Sequence, residues 1–298
     1  MRGSVLGSGV SSRRGLMAAG VIAMLAGAGC SPLAVLNGIT PGDGTTRLAV
    51  QNVAYGSDRR QRLDLHVPSR LQGRAPVLVF IYGGSWNSGS KDDYAFIGRA
   101  FAAQGFVTAV IDYRLVPQVR FPDFVDDAAR AVRWVQDNIA SYGGDPGRIY
   151  LLGHSAGAYN ATMLALDRRY LARAGVRDGA VKKVAALAGP YDFLPLRARV
   201  IVNAFGAWPK LPETQPASFV RASAPRMPLA SSMRGADDTT VYPSNTQNLA
   251  RQLRSAGARV DEKIYPGVGH AGILLALSAP FRANAPVLAD VVEFFKAP

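Results

Sequence analysis

The stretch Arg148-Ile149-Tyr150-Leu151-Leu152-Gly153-His154-Ser155-Ala156-Gly157 constrains the fold more than any other part of the chain. A short apolar run ends at Gly153 and small residues follow at once, which predicts a strand, a sharp turn and a helix with Ser155 at the apex. Gly153 and Gly157 are glycine here because side chains would collide across so tight a turn. A bare G-x-S-x-G is expected by chance in about one chain in five of this length. The strand before it and the small residues after it carry the weight.

The same alternation runs through most of the sequence. Leu48–Tyr55 and Arg62–Pro68, around the turn at Gly56-Ser57-Asp58, alternate partly and predict an antiparallel edge hairpin, with His66 as a structural residue. Pro76–Tyr82 and Phe106–Tyr113 are almost continuously apolar, as strands buried on both faces are. Phe124, Ala128, Ala131, Val132, Val135 and Ile139 recur at the helical period within Phe121–Tyr142. Further strands are expected at Val181–Ala188, Met227–Met233 and Val260–Tyr265, with helices at Ala95–Gln104, Ala156–Asp167, Ser244–Ser255 and Val287–Phe295. Strands alternating with helices predict an α/β fold, a doubly wound and mostly parallel sheet with the antiparallel hairpin at its N-terminal edge. Gly189–Arg226, rich in proline and aromatics, reads as a small lid insertion, with Phe193 to Arg226, including Phe205, Trp208 and Phe219, shaping a pocket.

The first residues differ in kind. Met1–Gly42 contains no Asp or Glu; Arg2, Arg13 and Arg14 precede the apolar Leu16–Ala26. Residues 1–30 therefore read as a signal peptide of twin-arginine type, and export to the periplasm or cell envelope is the expectation. Cys30, the one cysteine, follows Gly27-Ala28-Gly29 and resembles a lipobox cysteine that lipidation would attach to the membrane; the alternative is ordinary cleavage near Ala28. A lone cysteine forms no intrachain disulfide. Residues 31–46 read as a linker and 47–298 as one catalytic domain. The net charge is +13, and without Arg2, Arg13 and Arg14 there remain 31 basic against 21 acidic residues, or +10. These charges are scattered and form no nucleic-acid module, so no nucleic-acid partner is expected.

A serine hydroxyl becomes a useful nucleophile only when a base takes its proton and a third group holds the base. Ser155 is the candidate nucleophile. Of the three histidines, His66 lies in the hairpin and His154 adjoins Ser155 with its side chain expected to point away, so it reads as scaffold. His270 follows the last strand, at the carboxyl end of the sheet where open α/β folds place their sites, and is the candidate base. In Gly235-Ala236-Asp237-Asp238-Thr239-Thr240-Val241 both aspartates are candidate acids; Asp238 is favoured because it fits G-x-x-D-x-x-V. Backbone donors for a developing oxyanion are expected from Ala156 and from the loop at Gly83-Gly84-Ser85. No cofactor and no metal are called for by this set.

These residues together resemble the serine-esterase branch of the α/β-hydrolase superfamily that includes hormone-sensitive-lipase-like and prolyl-oligopeptidase-like carboxylesterases. The matching pieces are Tyr82-Gly83-Gly84-Ser85-Trp86, Asp112-Tyr113-Arg114-Leu115, Gly144-Asp145-Pro146, the Ser155 elbow, Asp238 and His270. The resemblance implies an α/β-hydrolase fold, a Ser155–Asp238–His270 triad and an oxyanion hole from Gly84, Ser85 and Ala156. Its implied activity is serine-dependent hydrolysis of short- to medium-chain or aryl carboxylic esters, with a small-molecule ester as substrate. An arylformamidase-type hydrolase and a catalytically silent surface binding module are the alternatives. Two departures stand out: Tyr82 occupies the place where the family usually has histidine, and a large N-terminal cap is not in evidence. Asp112-Tyr113-Arg114 is expected to form a structural network beneath the site.

Overall fold

The computed structural model describes residues 32–40, 44–220, 229–235 and 240–298. Eight strands form one sheet: β1 (Thr46–Ala54), β2 (Arg62–Pro68), β3 (Ala75–Ile81), β4 (Val107–Ile111), β5 (Gly144–His154), β6 (Val181–Leu187), β7 (Leu229–Gly235) and β8 (Val260–Tyr265). Their spatial order is β1-β2-β4-β3-β5-β6-β7-β8. β1 and β2 pair antiparallel, as do β2 and β4; every other neighbouring pair is parallel. The expected edge hairpin and doubly wound sheet are therefore present; most strand ends fall within two residues of expectation, but β5 starts at Gly144, four residues before the apolar run at Arg148, and Met227, the expected start of β7, lies outside the described residues. β4 is buried throughout and β3 nearly so, which is why both read as unbroken apolar runs.

The connections place the site. From β3 the chain crosses through α2 (Ala95–Ala102) to β4 on one side, then through α3 (Asp123–Asn138) back to β5 on the other. Strand order thus reverses at β3, and the crevice beyond the carboxyl ends of β3 and β5 is where such a sheet binds its ligands. The apolar stripe predicted for α3 is wholly interior: Phe124, Ala128, Ala131, Val132 and Val135 are buried, as is Ile139 just beyond it. α4 (Ala156–Leu166) packs on β5 and β6, and α7 (Pro243–Ser255) on β7 and β8. The closing α9 (Val287–Lys296) stacks Phe295 on Tyr150 with ring centroids 5.0 Å apart.

Two expectations need correction. Residues 32–39 are not a tether but a helix, α1 (Pro32–Ile39), begun by a proline whose missing N–H costs nothing in a first turn. Leu36 is fully buried in the core, which contributes about 1.5–3 kcal/mol. Asn37 donates to Asp92 O at 2.9 Å, and Arg99 donates to the carbonyls of Asn37 and Thr40 at 3.1 and 3.2 Å. The β6–β7 insertion, for which no helix is expected, contains α6 (Arg199–Phe205) and short 3-10 turns at Leu211–Thr214 and Pro216–Phe219. A short α5 (Arg169–Arg173) and α8 (His270–Leu275) complete the helices described.

His66 is structural, as expected: it is buried on β2, and a Cβ at Gly98 of α2 would overlap its ring. Burial, above all, pushes the His66 imidazole down to about 4, which keeps it neutral in the core. Cys30 and the expected signal segment lie outside the described residues. Among the described residues, no helix is long and apolar enough to cross a membrane.

Candidate active site

β5 runs straight into α4 through Ser155, whose backbone sits at φ +54° and ψ −121°. A non-glycine residue held there stores of order 1–3 kcal/mol of strain and needs its surroundings to hold it. The Ser155 N–H donates to Leu187 O at 2.9 Å, and the Tyr159 N–H donates to Ser155 O at 3.1 Å. The flanking glycines answer to a crowded turn. A Cβ at Gly157 would overlap the Ile81 carbonyl oxygen and lie 2.5 Å from that of Tyr82; one at Gly153 would overlap the Gly157 carbonyl. A Cβ at Gly83 would lie 2.8 Å from that of Ser155, so the loop after β3 closes directly over the elbow.

His270 reaches the same point from the far side of the sheet. It is the first residue of α8, and its Nε2 lies 3.0 Å from Ser155 Oγ. Nε2 accepts the hydroxyl proton in the tautomer that carries its own hydrogen on Nδ1. His154 does more than fill space. Its Nε2 donates to the main-chain oxygen of His270 at 3.0 Å, and the two imidazole centroids are 5.0 Å apart. A contact across 116 residues leaves no trace in local sequence pattern. Asp237 and Asp238 lie outside the described residues, so the candidate acid is not placed.

The loop after β3 carries three successive residues in the left-handed region: Gly84 (φ +116°), Ser85 (φ +50°) and Trp86 (φ +60°). A Cβ at Gly84 would overlap Ser88 O, which explains the glycine. Trp86 anchors the loop. Its ring, 1% exposed, meets Phe205 edge-on at 4.8 Å and Tyr159 edge-on at 5.1 Å, and its Nε1 donates to Asn160 Oδ1 at 3.1 Å. Ser85 and Ala156 line one cleft with Ser155, of about 420 Å³, whose walls include Phe193, Pro195, Ile201 and Tyr242. That volume suits a small organic group. Of the aromatics expected to shape this pocket only Phe193 lines it. Phe205 is buried behind Trp86, Trp208 packs on Phe121, and Phe219 faces Arg169. Burial of Phe205 in the interior against Trp86, more than a hundred residues away, is a tertiary outcome that residue type alone does not report.

The BD-FAE family profile matches residues 63–253, a span that contains β2 through most of α7 and both the Ser155 elbow and the Gly84 loop. The chain belongs to the BD-FAE family. It is 32% identical over 262 residues to a probable isoprenylcysteine alpha-carbonyl methylesterase of Oryza sativa subsp. japonica, covering 81% of this chain and 61% of that relative. It is 30% identical over 246 residues to Esterase LipC of Mycobacterium tuberculosis, covering 76% and 60%. The chain spans about 60% of the length of these curated relatives. Among solved structures it superposes on Esterase B of Lactobacillus Rhamnosis (HN001) with a TM-score of 0.77 at 17% identity, covering 96% of this chain and 95% of that one. The fold is that of the α/β-hydrolases.

In this BD-FAE chain the unusual Tyr82 is fully buried, stacked between Tyr94 (5.2 Å) and Tyr113 (4.8 Å). Its hydroxyl donates to Asp112 Oδ1 at 2.8 Å, and burial raises the phenol far above its ordinary range, so it stays a neutral donor. Burial also raises the Asp112 carboxyl, against hydrogen bonds from the Lys91 N–H and Tyr82 and the nearby Arg60 charge, which favour the carboxylate. Arg114 forks onto the fully buried Asp127, at 2.8 Å from Nε and 2.7 Å from Nη2, and Gln61 donates to the same carboxylate at 2.7 Å. Asp112-Tyr113-Arg114 thus forms the structural network the sequence suggests.

Proposed function

We propose that this chain is a serine-dependent carboxylic ester hydrolase that works through an acyl-enzyme on short- to medium-chain or aryl esters. The observation that carries the reading is the 3.0 Å contact between His270 Nε2 and Ser155 Oγ, with Ser155 itself lining the 420 Å³ cleft. Ser155 Oγ attacks the ester carbonyl while His270 Nε2 takes its proton; the imidazolium then returns that proton to the departing alcohol. Water, deprotonated by His270, attacks the acyl carbon and releases the acid and free Ser155. Asp238 orients His270 and stabilises the imidazolium in this scheme. The N–H groups of Gly84, Ser85 and Ala156 receive the oxyanion, a role favoured by the sharing of one cleft by Ser85, Ala156 and Ser155. The names of the relatives, a probable methylesterase and an esterase, support ester hydrolysis.

Turnover of p-nitrophenyl esters of rising acyl length, beside N-formylkynurenine, tests the substrate class. Highest kcat/KM is expected for a short or medium acyl chain, because the cleft is small and closed behind by the buried Trp86. Faster hydrolysis of the formamide than of any ester would replace this reading with the arylformamidase one.

Export and lipid anchoring through Cys30 belong to the same proposal, supported by Arg13-Arg14, the apolar Leu16–Ala26 and Cys30 after Gly27-Ala28-Gly29. Cys30→Ser is expected to move the protein from the membrane to the soluble fraction; unchanged partitioning would count against the anchor.

A further inference from the structure

The loop from Tyr82 to Ser90 must hold a shape that its own backbone disfavours, with Gly84, Ser85 and Trp86 in the left-handed region. Beyond the Trp86 ring, one more tie holds its middle: the Val116 N–H donates to Trp86 O at 2.8 Å. Its two ends are joined by two side chains: Asp112 Oδ1 accepts from the Tyr82 hydroxyl and, just past the loop, from the Lys91 N–H, each at 2.8 Å, and Arg60 reaches both ends from the hairpin. Arg60 lies in the turn between β1 and β2, with its side chain 23% exposed. Its Nη2 donates to the Tyr82 hydroxyl at 2.7 Å, where the loop begins, and to Gly89 O at 2.6 Å, where it ends. Its Nε donates to Tyr113 O at 2.9 Å, and the guanidinium lies 3.5 Å from Asp112 Oδ1. The loop exit also rests on the same phenol: a Cβ at Gly89 would lie 2.7 Å from the Tyr82 ring. One planar cation thereby joins the entry of the loop, its exit and the chain after β4.

We propose that Arg60 is a positioning residue for the oxyanion-binding loop, setting the spacing of its two ends and so the aim of the Gly84 and Ser85 N–H groups. This rests on the reading above, in which those groups receive the oxyanion. Arg60 does not line the cleft. Its effect therefore falls on the transition state, where the oxyanion exists, and spares binding of the neutral ester. Lysine does not replace it, because an ammonium is a point charge without the planar fork that meets several fixed acceptors at once. The edge hairpin, which looks like a mere extension of the sheet, thus supplies the pin that closes the loop over Ser155.

The test uses the full chain and four variants, Arg60→Met, Arg60→Lys, Arg60→Ala and Tyr82→Phe, each checked by thermal unfolding. The readouts are kcat and KM for the best p-nitrophenyl ester and the Ki of the matching trifluoromethyl ketone, which binds as an oxyanion. Arg60→Met is expected to lower kcat by about 10- to 100-fold with KM within about twofold, since misplacing one catalytic contact has effects of this order. The ketone should weaken by the same factor as kcat/KM, Arg60→Lys should recover little, and millimolar ethylguanidinium should restore part of the activity of Arg60→Ala. Tyr82→Phe, a milder change, should shift kcat and Ki in the same direction with a near-normal Tm, so the proposal stays testable if an Arg60 variant fails to fold. Unchanged kcat in folded Arg60 variants, or reduced kcat with unchanged ketone affinity, overturns the positioning role alone. A wild-type protein that neither hydrolyses esters nor accepts a fluorophosphonate label at Ser155 overturns the ester-hydrolase reading itself.

Discussion

Ser155→Ala is expected to lower kcat for p-nitrophenyl esters by at least ~10⁴-fold and to abolish labelling by a fluorophosphonate, while leaving the thermal unfolding transition in place. The reason is local. Ser155 Oγ is the atom 3.0 Å from His270 Nε2, and the turn that presents it holds its shape through main-chain bonds to Leu187 and Tyr159 that alanine keeps. Alanine therefore removes the nucleophile and little else. Whatever rate survives comes from binding and from backbone donors, which serve a water molecule poorly aligned for attack. His270→Ala should fall by a comparable factor, and the double variant should be scarcely worse than either single one, because the two groups act as one unit. Labelling or turnover that persists in purified Ser155→Ala would remove Ser155 from the mechanism.

Gly157→Ala should cost upward of about 3 kcal/mol, a large loss for a single methyl group. The added Cβ has no space to enter: it would overlap the Ile81 carbonyl oxygen and lie 2.5 Å from the Tyr82 carbonyl oxygen, both main-chain atoms at the end of β3. No side chain can rotate away to relieve this, so α4 must lift from the sheet and carry Ser155 with it. The folded fraction should lose activity as well as Tm. Gly38→Ala in α1 is the control, since a Cβ there meets nothing within 4 Å and helical glycine is intrinsically unfavourable. Chemical denaturation of both variants decides the matter; a Gly157→Ala midpoint equal to wild type would mean that α4 does not sit as close to β3 as the structure has it.

What could be read in the sequence was whatever a local pattern records. Continuous apolar runs identified β3 and β4 because both of their faces are covered, and the 3.6-residue period of Phe124 to Ile139 identified α3 because one face meets the sheet. The elbow was legible because a strand, a steric need for glycine and a helix fall within ten residues. α1 escaped because proline and glycine near its ends look like a linker, and its helix depends on a tertiary pocket for Leu36 more than on propensity. Arg60 and His154 escaped for a different reason. The partners of Arg60 lie 22 to 53 residues away and that of His154 lies 116 away, so each was one more charged or polar residue until the sheet brought its acceptors together. The same holds for the cleft wall: both Phe193 and Phe205 meet Trp86, and only burial, complete for Phe205 and partial for Phe193, separates the wall residue from the interior one.

The glycines that crowd Ser155 also divide what the chain is free to change. Gly83, Gly153 and Gly157 each face main chain or the Ser155 side chain at distances that admit no Cβ, so drift at these positions is closed regardless of substrate. The cleft wall at Phe193, Pro195 and Ile201, three residues that are half-buried or exposed, belongs to the insertion between β6 and β7. Room to alter the cleft without disturbing the elbow therefore lies in that wall and in the segment around Tyr242, away from the glycines that fix Ser155.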